Sequence, residues 1–214
     1  MSTPAEAAPA IRELIASEGG RFTSELGLDV DNSPDDVERW FVAASLFGAP
    51  IQTKVAVRTW RLLDRAGIHS IGDAAHHSWD ELVALLGEGG YTRYDFRTAT
   101  RLQDLARAVT QRLGGRIGTL AAVTDPDELE SDLDGLPGWG PRTVEIFLRE
   151  LRGVWPGAKP RVDERARRAA GEMGLDLGAD PDREWDRLAE YADAAGVDPR
   201  DLEAALVRNT LRRR

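Results

Sequence analysis

The chain has 214 residues, 42% hydrophobic and 30% charged, enough for one ordinary domain or two small ones and too apolar for wholesale disorder. It holds no cysteine, which excludes disulfides, thiol nucleophiles, thiolate metal sites and cysteine-ligated iron–sulfur clusters, and its three histidines (His69, His76, His77) speak against a histidine-rich metal site. The net charge of −9 argues against a protein that coats a polyanion over its whole surface.

No apolar run approaches the roughly 20 residues that cross a bilayer, and no apolar leader accompanies Arg12, the first basic residue. The expectation is a cytoplasmic monomer with no membrane partner, no cofactor and no metal held by side chains.

Period-3.6 patterns dominate and strand alternation is almost absent. A first helix is predicted from Pro4 to Ser17, stopping at Gly19-Gly20, followed by an irregular stretch from Arg21 to Asn32. Ser33-Pro34-Asp35-Asp36 starts a helix, with proline and acids in its first turn, that ends near Gly48. Pro50 breaks the chain, and a further helix carries Val55, Val57, Trp60 and Leu63 to Gly67. Ser78-Trp79-Asp80-Glu81 starts a short one ending at Gly87, and another runs from about Thr92 to Leu113. Asp125-Pro126 caps one reaching Leu133, Pro141 opens one reaching about Arg152, and Asp163 opens one ending near Gly174. Asp180-Pro181 and Asp198-Pro199 precede the last two. The reading is about ten helices joined by short loops, an all-α chain.

The charge is segregated along this chain. Tyr91 to Arg116 carries six arginines (Arg93, Arg97, Arg101, Arg107, Arg112, Arg116) against Asp95 and Asp104. Arg142 to Arg168 carries eight basic residues against four acids, whereas Gly171 to Glu203 carries eleven acids against three arginines. The chain ends Arg212-Arg213-Arg214. Two basic segments are thus available to a polyanion, unless their arginines are ordinary solvated helix faces.

Between two of the predicted helices lies the tight connection Leu136-Pro137-Gly138-Trp139-Gly140, followed by Pro141. Glycines there tolerate positive φ and leave no side chain between backbone and ligand. The first N–H groups of the following helix lack partners and sit at the positive end of its dipole, a ready phosphate site. The pattern, with apolar Leu133, Leu136, Val144, Phe147 and Leu148 around it, resembles the DNA-binding helix-hairpin-helix.

Downstream, Pro160-Arg161-Val162-Asp163-Glu164-Arg165-Ala166-Arg167-Arg168-Ala169 places an aspartate at a helix start, before an arginine-rich turn. Hairpin, helix and aspartate together resemble the helix-hairpin-helix DNA glycosylase superfamily, which includes endonuclease III and the adenine-mismatch and 3-methyladenine glycosylases. Arg21 to Leu26 with Ser33-Pro34, Trp40 to Ala56, and Gly90-Tyr91-Thr92-Arg93 are also similar to endonuclease III. The resemblance spans roughly Arg21 to the C-terminus. It implies a six-helix barrel domain over 33–155, with the hairpin at 130–150. A second helical domain comes from 1–32 plus 156–214, and the active-site cleft lies between the two. The implied partner is double-stranded DNA containing a damaged base, and the implied location is the nucleoid.

The resemblance makes Asp163 the catalytic aspartate. A fixed carboxylate facing C1′ of the sugar can stabilise an oxocarbenium-like transition state and orient the attacking water. Asp is also a common N-cap, and the two uses are compatible. The resemblance further implies DNA contacts from Gly138, Trp139, Gly140, Arg142 and Thr143, joined by Arg93, Arg97, Arg165 and Arg168.

The departures from the family pattern carry information. Bifunctional members have a lysine nucleophile where this chain has Arg142, and a guanidinium stays protonated. Only Lys54 and Lys159 exist elsewhere. A monofunctional, water-using enzyme is therefore expected, similar to the 3-methyladenine branch. The residues that fill the gap left by a flipped base align with Ile51 and Gly90, with Gln52 adjacent. An alkylated purine is a good leaving group that an aromatic pocket selects by cation–π stacking. Tyr91, Tyr94 and Trp139 are candidate linings, with Trp40 and Trp60 better suited to the core. Glu38 does not match the position of the adenine-mismatch enzymes' glutamate. The alternative function is a non-catalytic protein on the same scaffold that recognises distorted or abasic DNA.

Overall fold

The computed structural model describes residues 2–49 and 51–212. The break expected at Pro50 and the terminal Arg213 and Arg214 lie outside the described residues. Among those described there are eleven α-helices, three 3-10 turns and no β-strand. The helices are α1 (Pro4–Glu18), α2 (Phe22–Leu26), α3 (Pro34–Phe47), α4 (Thr53–Arg65), α5 (Trp79–Gly89) and α6 (Asp95–Leu113), then α7 (Pro126–Asp134), α8 (Pro141–Glu150), α9 (Glu164–Glu172), α10 (Glu184–Ala195) and α11 (Pro199–Arg212). The all-α expectation holds, and no helix among the described residues is long and apolar enough to cross a membrane.

Local chemistry sets the helix starts. Thr3 and Glu6 form a reciprocal capping box ahead of α1, and Ser78 and Glu81 form another ahead of α5. The Ser33 and Asp125 side chains accept the Asp36 and Glu128 N–H groups, each with proline at the first helical position. Three local expectations need correction. Phe22 to Leu26 is helical, within a stretch expected to be irregular, and Phe22 is buried beneath the Arg208 guanidinium, 3.9 Å from its ring. The helix expected from Thr92 starts at Asp95, because residues 91–94 form a turn closed by the Tyr94 N–H on the Tyr91 carbonyl. The helix expected to reach Arg152 stops at Glu150.

The chain divides into two compact units. One is Leu26–Lys159, beginning earlier and ending later than the 33–155 read from the sequence; the other joins Met1–Glu25 to Pro160–Arg214. In the first, α3 is central, with Trp40 and Phe41 fully buried and the Trp40 indole N–H bonded to the Phe147 carbonyl at 3.1 Å. Glu38 is a buried cap: its carboxylate accepts the Ile117 and Gly118 N–H groups at the start of a 3-10 turn. The second unit has a core of small residues. Ala7 and Ala8 of α1, Ala166 and Ala170 of α9, and Ala192 and Ala205 of α10 and α11 let four helices approach closely around Ile11, Leu188 and Leu206.

Candidate functional site

The hairpin between α7 and α8 is locked from beneath. Trp139 is only 6% exposed; its ring stacks on Phe41 at 4.2 Å and meets Phe147 edge-on at 5.3 Å, while its indole N–H bonds the Ser45 hydroxyl at 3.1 Å. The Trp139 ring, a candidate lining of the base pocket in the sequence, thus sits in the core, where it anchors the hairpin from beneath. Thr143 is likewise buried, with its hydroxyl in the space a Cβ on Gly48 would fill.

The amides fall into two groups. The Trp139 N–H bonds the Leu136 carbonyl at 3.0 Å and the Thr143 N–H bonds the Gly140 carbonyl at 2.8 Å, so neither is offered outward. Gly138 and Gly140 donate to no acceptor among the described residues. Gly138 has φ +78, a conformation that favours glycine, and Gly140 is the N-cap of α8 with open space where a Cβ would stand. Two donors without an acceptor among the described residues, at the positive end of a ten-residue helix, have the chemistry to take an anion.

Two arginines of α6, Arg101 and Arg112, reach this turn. The Arg101 side chain runs along Gly138, its methylenes 3.2–3.5 Å from the position of a Gly138 Cβ. Arg97, one helical turn earlier, is exposed and has no ion pair among the described residues. Arg93 is exposed, its guanidinium 5.7 Å from the Tyr94 ring centre. Arg112 donates to the Gly135 carbonyl at 3.0 Å. Arg142, in the first turn of α8, is partly exposed and bonds Glu145 at 3.1 Å. The sequence reading named Arg93, Arg97 and Arg142 for this site but missed Arg101, the arginine that lies against the hairpin. It also overcounted the second basic segment, because Arg149 and Arg152 are buried. A groove of about 350 Å³ between α7 and α8 is lined by Glu130, Asp134 and Glu145, a surface that repels phosphate.

The pocket and wedge candidates separate in the same way. Tyr91 is 1% exposed and its hydroxyl bonds the Leu46 carbonyl at 2.6 Å; burial pushes the phenol's pKa up, and it stays neutral. It is a strut between α3 and the loop before α6, so this base-pocket candidate lies in the core. Tyr94 is half-buried, as is Ile51, while Gln52 is exposed at the N-cap of α4. Gly90 ends α5 in the left-handed conformation at φ +96 and supplies no side chain for a wedge.

In the other unit, Asp163 caps α9. Its Oδ1 accepts the Arg165 N–H at 2.8 Å, and its own N–H donates to Glu203 Oε1 at 2.9 Å. Asp163 is 8% exposed and Glu203, on α11, is fully buried. The aspartate is thus held at both its side chain and its backbone. Glu203 was invisible to sequence reasoning because nothing local ties it to a residue 40 positions away. Arg165 follows the cap and accepts the Thr210 hydroxyl on its carbonyl at 3.3 Å; Arg168 is largely exposed and pairs with Glu164 one turn away at 3.6 Å. Among the described residues, no group of three or more His, Asp and Glu could hold a metal ion.

An all-helical chain with this hairpin and an aspartate capping a later helix has the fold of the helix-hairpin-helix DNA glycosylases. Among solved structures it is similar to the 8-oxoguanine DNA glycosylase of Thermotoga maritima. The TM-score is 0.52 and the identity 20%, over 94% of this chain and 88% of that one. At that identity the likeness is one of fold. No family model and no curated protein matches the chain.

Proposed function

We propose that the protein is a monofunctional DNA N-glycosylase of base-excision repair, acting as a monomer on duplex DNA of the nucleoid. The observation that carries the reading is Asp163. A carboxylate fixed by the Arg165 N–H, on a backbone tethered to Glu203, is preorganised to face a developing sugar cation. In the proposed hydrolysis water adds to C1′, the bond from C1′ to the base nitrogen breaks with its electrons leaving on the base, and Asp163 takes the water's proton. The hairpin amides of Gly138 and Gly140 hold a backbone phosphate.

Arg142 stands where a lyase would need an amine, so the product is an intact strand with an abasic site. An alkylated purine is the substrate class we favour, because a base that already carries positive charge leaves without acid assistance. With Tyr91 and Trp139 in the core, this choice rests on leaving-group chemistry rather than on an aromatic pocket. The fold neighbour's name favours 8-oxoguanine as the second reading.

A panel of duplexes bearing 3-methyladenine, 7-methylguanine or 8-oxoguanine tests the proposal through abasic sites revealed by alkali. Asp163→Asn, which keeps the helix cap, should lower turnover by about 100- to 1000-fold. Base release by the variant at the wild-type rate would overturn the catalytic assignment. Tight binding without release of any base would favour the non-catalytic alternative.

A further inference from the structure

Two large apolar side chains stand out in solvent among the described residues: Phe96, 61% exposed, and Trp79, 37% exposed. They are not scattered. Their rings stack, centroids 5.4 Å apart and planes 30° from parallel. The Trp79 indole N–H donates to the Thr100 hydroxyl at 3.1 Å, and that hydroxyl donates to the Phe96 carbonyl at 3.1 Å. The Phe96 N–H is itself taken by the Asp95 carboxylate at 2.8 Å. The pair is therefore held in one arrangement by polar bonds, with an aromatic surface turned to water. The core face of α6 runs through Ala99, Leu102 and Ala106, away from Phe96, so packing gives no reason for a phenylalanine here.

The charges around the pair indicate what it meets. Arg97 follows Phe96 directly, Arg93 precedes it by one turn of chain, and Arg101 continues the line to Gly138 of the hairpin. The nearby acids keep their charge, but Asp95 is turned back onto the Phe96 N–H and Glu81 onto the Ser78 cap, so neither is paired with Arg93 or Arg97. An aromatic plate beside a line of arginines suits a nucleobase with its flanking phosphates. A neutral protein surface would not call for the arginines.

We propose that Phe96, backed by Trp79, stacks on an unpaired nucleobase of the DNA held by the hairpin. The inference rests on the reading that the hairpin holds DNA and adds a second, sequence-tolerant contact outside the reaction centre. It makes DNA with an unpaired base the preferred ligand over fully paired duplex.

The test uses the full chain and a duplex with a tetrahydrofuran abasic analogue opposite an unpaired 2-aminopurine, alongside a fully paired control. Wild-type protein should quench the 2-aminopurine and prefer the first duplex. Phe96→Ala should keep the wild-type melting temperature, lose the quenching and weaken binding to the unpaired duplex by about 5- to 100-fold, with little change on the paired one. Phe96→Trp should restore both. If Phe96→Ala binds and quenches like wild type while Gly140→Val does not bind, the hairpin reading stands and this inference falls; the pair is then a surface for some other partner. If wild-type protein binds neither duplex, both fall.

Discussion

Gly140→Val separates the hairpin's structural task from its binding task. Gly140 has φ −142 and ψ 175, an extended conformation that valine adopts readily, and nothing lies within 4 Å of the added Cβ. Losing glycine at an N-cap costs a few tenths to about 1 kcal/mol, and the stiffer unfolded chain returns about 0.4–1 kcal/mol. The net change should stay within about 1 kcal/mol, a melting shift of no more than about 2–4 °C. Binding should respond quite differently. The space that makes the substitution harmless to the fold is the space through which, on the proposed function, a phosphate would reach the Gly138 and Gly140 amides. Each N–H bond to a charged oxygen is worth roughly 1.5–3 kcal/mol, so loss of both should weaken binding by more than about 100-fold. Gly138→Val is the poorer probe, because φ +78 strains any side chain there and Arg101 must also move. The assay is a fluorescence titration of labelled abasic-analogue duplex between 50 and 200 mM salt, with melting followed by circular dichroism. The amides carry no net charge, so the salt slope, expected near −3 to −4, should hardly change; Arg97→Ala or Arg101→Ala should reduce it by about one. Wild-type affinity in Gly140→Val would make the hairpin a mere turn and remove the main support for DNA binding.

Tyr91→Phe should lower stability by about 1 kcal/mol through the lost bond to the Leu46 carbonyl, with base release unchanged; a specific loss of turnover at full stability would return Tyr91 to the base pocket. Borohydride added during turnover should trap no protein–DNA adduct, because Arg142 forms no imine; a trapped adduct would implicate Lys54 or Lys159. Burial pushes the Asp198 carboxyl up, but bonds from Arg200 and the charges of Arg200 and Arg21 outweigh it and hold the pKa below the ordinary carboxylate value. Its stabilising contribution is therefore present above about pH 4 and lost as pH falls through the lowered value. Urea midpoints measured from pH 7 to pH 2 should fall less steeply for Asp198→Asn than for wild type, and parallel curves would refute the assignment.

The helices were legible in the sequence where their starts carried a local code. Ser33, Ser78, Asp125 and Asp163 announce themselves as caps and act as caps. The five residues of α2 are too few to show a period, and the 3-10 turns at Ile71–His76 and Ile117–Ala122 have none of the helix spacing. The site was legible only as far as the backbone goes. An aromatic beside a glycine turn reads as exposed, yet Tyr91 and Trp139 are buried and bond Leu46 and Ser45, 45 and 94 residues away. Arg101 looked like one arginine among six until the fold laid it along Gly138. These are long-range pairings, and no local pattern encodes them.

The unit that holds Asp163 is assembled from both ends of the chain, and this bears on how the protein is made. Arg12 in α1 bonds the Ala195 carbonyl 183 residues later, and Tyr191 bonds the Ser2 carbonyl 189 residues earlier. During synthesis α1 emerges long before α10 and α11 and must wait for them. The whole of Leu26–Lys159 leaves the ribosome in the meantime, hairpin included. Contacts so distant in sequence form slowly. A nascent chain therefore completes the turn at Gly138 and Gly140 before Glu203 exists to tether Asp163, so on the proposed function the binding element would mature ahead of the catalytic one.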